Sequence, residues 1–278
     1  MPYRQIKECK WFYEDQGARD LPALLLLHGF SGCVAVWDEV VAGLESDFRC
    51  IRVDLPGHGA TECPDEISNF RMNSVCESLE QLLGSLEIRQ TNVWGYSMGG
   101  RLALHFALEY SGRVQRLVLE SVSPGIADPE GRRQRAVEDG ELADEIERQG
   151  MAWFVEEWMK RPLFASQQNM PEEKQVQGRE LRLRNRPKGL AASLRGMGTG
   201  AQGALHERLS ELSAPTMLMT GEYDDKFRAI GLQMAGLIPQ VLYCLIPHAG
   251  HAPSWEQPER SVRAVRDFLL GKDLPRRA

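Results

Sequence analysis

The sequence predicts an α/β fold: a mostly parallel central sheet with helices on both faces and a helical cap inserted in it. Three observations carry the prediction. Short apolar runs bounded by turn residues alternate with stretches of helical spacing, the pattern of strands buried on both faces between covering helices. The stretch 121–215 lacks a convincing strand yet has helical patterns of its own, whereas a strand-to-helix loop needs only about 2–6 residues. A chain of 278 residues with 42% apolar content is long and apolar enough to bury one large core.

A segment around 11–14 is expected to add an antiparallel edge strand. ALLLLH (23–28), RCIRVD (49–54), NVWGY (92–96), RLVLES (116–121), TMLMTG (216–221) and VLYCLI (241–246) read as the buried strands. Helical patterns fall at 36–45, 74–86, 98–109, 228–237 and 258–270. Within the long connection, PEGRRQRAVEDGELADEIERQG, MAWFVEEWMKRPLFAS and LAASLRGM have amphipathic spacing. The expected division is a core domain of 1–125 and 206–278 with a cap at 126–205. Internal repeats are absent.

Charge and cysteine usage narrow the function. A formal net charge of −6 argues against non-specific nucleic-acid binding, which needs basic surface. The longest early apolar run, 21–27, is too short to span a bilayer, and Arg4, Lys7 and Lys10 precede it without a cleavage-type apolar region. A cytoplasmic location with no membrane span is therefore expected. The six cysteines are scattered, with no CxxC and no Cys/His pair at metal spacing. Reduced, mostly buried thiols and no metal are expected. No GxGxxG or phosphate-loop spacing is present.

The chemistry-bearing stretch is VWGYSMGGR (93–101). Gly95-Tyr96-Ser97-Met98-Gly99 follows a strand and opens a helix, the context of a G-x-S-x-G nucleophile elbow. Small neighbours let strand and helix approach, which lifts the Ser97 hydroxyl clear of the sheet edge. A serine needs a base, and the base an orienting acid. Asp224 follows the TMLMT strand and is the favoured acid, with Asp225 beside it and Asp54 farther away as competitors. His251, in PHAGHAPSWEQPE after the last strand, is the favoured base. His248, His58, His105 and His206 suit solvated or core roles better. The Phe30 amide in HGFSG and the Met98 amide form the expected oxyanion hole.

Arg101 lies one helical turn past Ser97 and shares its face. The cap adds Arg132, Arg133, Arg135, Arg179, Arg182 and Arg184, many of which are expected to be solvated. Guanidinium forks are the preferred receptors for carboxylates, so an arginine beside the serine points to an anionic substrate.

HGFSG, VDLPGHG, GYSMGGR, RPLFAS, LAASLRGMGTG, GEYDDKF and HAGHAPSWEQP together resemble the 2-succinyl-6-hydroxy-2,4-cyclohexadiene-1-carboxylate synthase family of the α/β-hydrolase fold, across nearly the whole chain. The resemblance implies a lyase of menaquinone or phylloquinone biosynthesis. Such an enzyme eliminates pyruvate from an enolpyruvyl cyclohexene that carries a succinyl arm. Ser97, polarised by His251 and Asp224, then serves as the proton-abstracting base, and the oxyanion hole holds the developing enolate. The family's substrate arginines carry over onto Arg101, Arg135 and Arg182, with Arg184 the neighbour that competes with Arg182. Tyr96 and Trp158 match aromatic positions near the pocket, although packing inside the cap explains Trp158 equally well. The implied partner is a small tricarboxylate, and no metal, nucleotide or flavin cofactor is implied; the sequence leaves the oligomeric state open between a monomer and a weak homo-oligomer. Two other readings fit the same elbow: a serine hydrolase of esters or carbon–carbon bonds, and a non-catalytic ligand receptor.

Overall fold

The computed structural model describes residues 2–272. Its strands are β1 (Tyr3–Ile6), β2 (Cys9–Gln16), β3 (Ala23–Leu27), β4 (Arg49–Val53), β5 (Thr91–Tyr96), β6 (Val114–Glu120), β7 (Thr216–Gly221) and β8 (Val241–Ile246). They form one sheet in the order β1-β2-β4-β3-β5-β6-β7-β8. The pairs β1–β2 and β2–β4 are antiparallel, and every other pair is parallel. The N-terminus thus supplies a two-stranded hairpin where the sequence pattern promised a single edge strand.

β3 shows why the strand runs are uninterrupted leucine. Leu25 and Leu27 enter the core on one face of the sheet, while Leu24 and Leu26 enter the core on the other. A strand covered on both faces has no position left for a polar side chain. The first core is filled from the helix side by α2 (Met72–Ser85) and α3 (Met98–Glu109). α1 (Asp38–Leu44) and α9 (Pro258–Leu269) supply Val40, Val41, Leu44, Val265 and Phe268 to the second.

Between β6 and β7 the chain builds α4 (Pro129–Met159), α5 (Glu172–Leu183) and α6 (Pro187–Met197). The α4 N-terminus is capped by Asp128, whose carboxylate accepts the Gly131 amide at 2.7 Å. Gly150, at φ 82°, breaks α4 and turns its second half back. That turn packs Ile146, Phe154 and Val155 against Leu190, Ala191 and Leu194 of α6, a third apolar core. The separate helix α5 is a finding beyond the sequence reading. α7 (Asp225–Ala235) and the short α8 (Pro253–Glu256) follow β7 and β8 at the end of the sheet where the site forms.

The cysteine expectation is corrected at one pair. Cys9 and Cys63 form a disulfide, while Cys33, Cys50 and Cys76 are free, buried thiols. An antiparallel bridge between Lys10 and Glu62, with both main-chain hydrogen bonds made, sets the neighbouring cysteines side by side. No sequence spacing announces such a contact. Among the described residues no helix is long and apolar enough to cross a membrane.

Candidate active site

The turn from β5 to α3 places Ser97 at φ 50°, ψ −108°, a conformation that a non-glycine residue holds only when its surroundings enforce it. Two glycines make room. A Cβ on Gly99 would stand 2.2 Å from the Leu27 carbonyl oxygen, and one on Gly95 would stand 2.4 Å from that of Gly99. The Ser97 amide donates to the Glu120 carbonyl at 2.8 Å, which locks the turn to β6.

Ser97 Oγ lies 3.0 Å from His251 Nε2, and His251 Nδ1 lies 2.7 Å from Asp224 Oδ2. Asp224 also caps α7, its other oxygen accepting the Phe227 amide at 3.2 Å. The competitors lie elsewhere. Asp225 is exposed and pairs with Arg228 at 3.0 Å. Asp54 accepts the Val34 and Ala60 amides, each at 2.7 Å, and so fastens two loops. His248 is exposed and 3.1 Å from the Tyr223 hydroxyl. His58 and His105 are buried and held well below the usual imidazole range by desolvation, while His206 begins a short 3₁₀ turn.

Neither the Phe30 nor the Met98 amide donates to a protein acceptor among the described residues. Both residues line a cavity of about 580 Å³ that reaches Ser97 and His251. Arg101 and Arg135 line it too. Arg101 is buried and donates to the Gln202 side chain, and burial followed by the Arg135 charge pulls its pKa down to about 10. Arg135 holds Asp139 at 2.7 Å. A desolvated guanidinium facing another cation is a standing demand for an anion.

Arg182 belongs to a different space. It lines a smaller chamber that also reaches Ser97, together with Tyr96, while Trp158 borders both. Arg184 is exposed at the end of α5 and, unlike Arg182, does not line this chamber. Trp158 serves both readings given for it. It stacks on Phe154 with ring centres 5.4 Å apart and packs on Phe30 at the same separation.

Two cations at the larger cavity escaped the sequence reading. Arg161 lies over the Trp158 ring at 4.3 Å, and Lys226 enters from α7. Their signals were the RPLFAS and DKF motifs, whose charged residues had been given no task. No cluster of three or more side chains able to hold a metal occurs among the described residues.

Comparison with known proteins comes to the same place. The alpha/beta hydrolase fold family matches residues 22–258. A Bacillus subtilis (strain 168) protein, which carries the name 2-succinyl-6-hydroxy-2,4-cyclohexadiene-1-carboxylate synthase provisionally, is 40% identical over 258 residues, 92% of this chain and 93% of its own. The protein of that name from Klebsiella pneumoniae subsp. pneumoniae is 32% identical, covering 92% of this chain and 96% of its own. MenH from S. aureus superposes with a TM-score of 0.89 at 32% identity, covering 94% of this chain and 98% of that one.

Proposed function

The chain belongs to the 2-succinyl-6-hydroxy-2,4-cyclohexadiene-1-carboxylate synthase family of the alpha/beta hydrolase fold, and from that premise we propose its reaction and the residues that perform it. It is a carbon–oxygen lyase that converts 2-succinyl-5-enolpyruvyl-6-hydroxy-3-cyclohexene-1-carboxylate into pyruvate and the family's named product. Ser97, His251 and Asp224 form the proton-transfer triad.

Ser97 Oγ removes the ring proton next to the succinyl ketone as its own proton passes to His251 Nε2, 3.0 Å away. Asp224 fixes the Nδ1 proton of His251 and stabilises the imidazolium. The ketone oxygen gains charge and accepts hydrogen bonds donated by the Phe30 and Met98 amides; one such donor is worth about 2.7–4 kcal/mol in acyl-transfer sites. In a 1,4-elimination the ring double bond shifts and a second one forms as the carbon–oxygen bond to the enolpyruvyl group breaks, and the departing enolate takes the proton held by His251 to become pyruvate, which returns the triad to its starting state. No water is consumed, and the segment 126–205 acts as the cap that keeps solvent from the enolate.

The observation that carries this reading is the set of arginines in the two cavities that reach one elbow serine: Arg101 and Arg135 in the larger, Arg182 in the smaller. A substrate with three carboxylates accounts for all of them, and a neutral ester accounts for none. The Ser97–His251 contact alone would equally suit an acyl-enzyme hydrolase. The test is coupled detection of pyruvate from freshly generated enolpyruvyl substrate, wild type against Ser97→Ala. Pyruvate release that disappears in the variant supports the lyase. A burst from a p-nitrophenyl ester with no pyruvate release selects the hydrolase. A cytoplasmic enzyme of menaquinone or phylloquinone synthesis follows from the same premise.

A further inference from the structure

The chamber that holds Arg182 has unmet hydrogen-bonding capacity of a specific kind. Ser31, Gln167 and Arg182 line this chamber, and Ser31 Oγ, Gln167 Nε2 and Arg182 Nε are buried with no hydrogen-bond partner among the described residues. Ser31 is 1% exposed and Gln167 5%. Arg182 donates through Nη1 to the Gly178 carbonyl at 2.7 Å, and no carboxylate is among the charges acting on it. A buried donor left without an acceptor costs free energy, so three of them on residues lining one chamber point to an anion bound there.

The chamber also has a size and a lining. It offers about 70 Å³, and its walls include Val36, Trp37, Phe164 and Leu181. At about 10–15 Å³ of such space per water-sized group, it takes roughly five to seven heavy atoms. With the ketone held at the Phe30 and Met98 amides, the rest of a succinyl arm is two methylenes and a carboxylate, which is five heavy atoms. The methylenes match the apolar walls, and the carboxylate matches the three polar atoms. The other two carboxylates then share the 580 Å³ cavity with Arg101, Arg135, Arg161 and Lys226.

We infer that Ser31 and Gln167 complete, with Arg182, a subsite for the terminal carboxylate of a short 4-oxo acid arm, and that Gln167 is a specificity-determining residue. This assignment rests on the reaction proposed above and places its substrate. Gln167 and Arg182 also border a groove of about 410 Å³ on the outer face, so Gln167 is part of a partition as well as a donor. The test separates those two tasks.

Two substrates are compared, the parent and an analogue whose succinyl carboxylate is replaced by a methyl group. Gln167→Leu fills similar space without a donor, and Gln167→Glu turns a charge against the carboxylate. For Gln167→Leu, kcat/KM on the parent is expected to fall about tenfold, mainly through KM, with a loss on the analogue of less than about threefold. Gln167→Glu is expected to widen that gap. Equal losses on both substrates for both variants would leave Gln167 a wall and overturn the subsite. Titration calorimetry with 4-oxopentanoate supplies a readout that needs no turnover. Weaker binding to Gln167→Leu than to wild type supports the subsite even if no pyruvate is released. Pyruvate release by wild type with no 4-oxopentanoate binding overturns the subsite and leaves the reaction standing.

Discussion

His251 Nδ1 and Asp224 Oδ2 are 2.7 Å apart, and both side chains are buried. The contact makes Nδ1 the protonated nitrogen and turns Nε2 toward Ser97 as an acceptor. Asp224→Asn keeps the shape but presents an amide that stabilises the opposite tautomer. Its kcat for pyruvate release is expected to fall about 10²–10⁴-fold with KM little changed. A loss below tenfold would reduce Asp224 to its other task, capping α7 through the Phe227 amide.

Arg101 is expected to act on the substrate's charge and not on the elbow. Its main-chain amide closes the first turn of α3 on the Ser97 carbonyl at 2.9 Å, and any residue makes that bond. The guanidinium faces the larger cavity. Arg101→Ala should lower kcat/KM for the tricarboxylate about 10- to 100-fold, the scale of a hydrogen bond to a charged group. Turnover of a neutral p-nitrophenyl ester should fall far less. Equal losses on the two substrates would mean that Arg101 supports the turn through packing.

Legibility in the sequence followed how local the cause was. The strands of the parallel sheet showed because burial on both faces demands unbroken apolar runs, as in β3. The elbow showed because Gly95 and Gly99 answer a clash that any side chain would create. α5 left little periodicity to read: EEKQVQGRELRL buries only Gly178 and Leu181. For the same reason the sequence could not show that Arg182 faces a chamber while Arg184 is exposed at the helix end. Gln167 carries no motif; its relevance comes from being one of the two buried residues of a 3₁₀ segment, against a chamber it shares with Ser31, far away in sequence. The Cys9–Cys63 disulfide spans 54 residues and depends on one antiparallel bridge.

Beneath the site, Glu120 ties the elbow to the loop of the base, and its titration is the last expectation. Its carbonyl accepts the Ser97 amide, and its carboxylate accepts the Ser254 amide and hydroxyl, each at 2.8 Å, and the Trp94 indole at 2.9 Å. Burial nevertheless outweighs these three hydrogen bonds and pushes the carboxyl from 4.5 up to about 7. The folded state therefore holds a proton that the unfolded chain has released between these two values. Stability from this group is fully present below 4.5 and is lost as pH rises to about 7. Glu120→Gln stays neutral throughout, and its amide leaves one donor without an acceptor, so the variant is less stable at acid pH. The deficit should shrink as pH rises from about 5 to about 8, by an amount on the order of 1–3 kcal/mol. Urea unfolding of both proteins across that range measures it. His28, pulled down to about 4 by burial, loses stability with the opposite sign as pH falls, but it is common to both proteins and cancels in the difference. A deficit that stays constant across the range would show that Glu120 does not titrate there, and the account of its burial would fail.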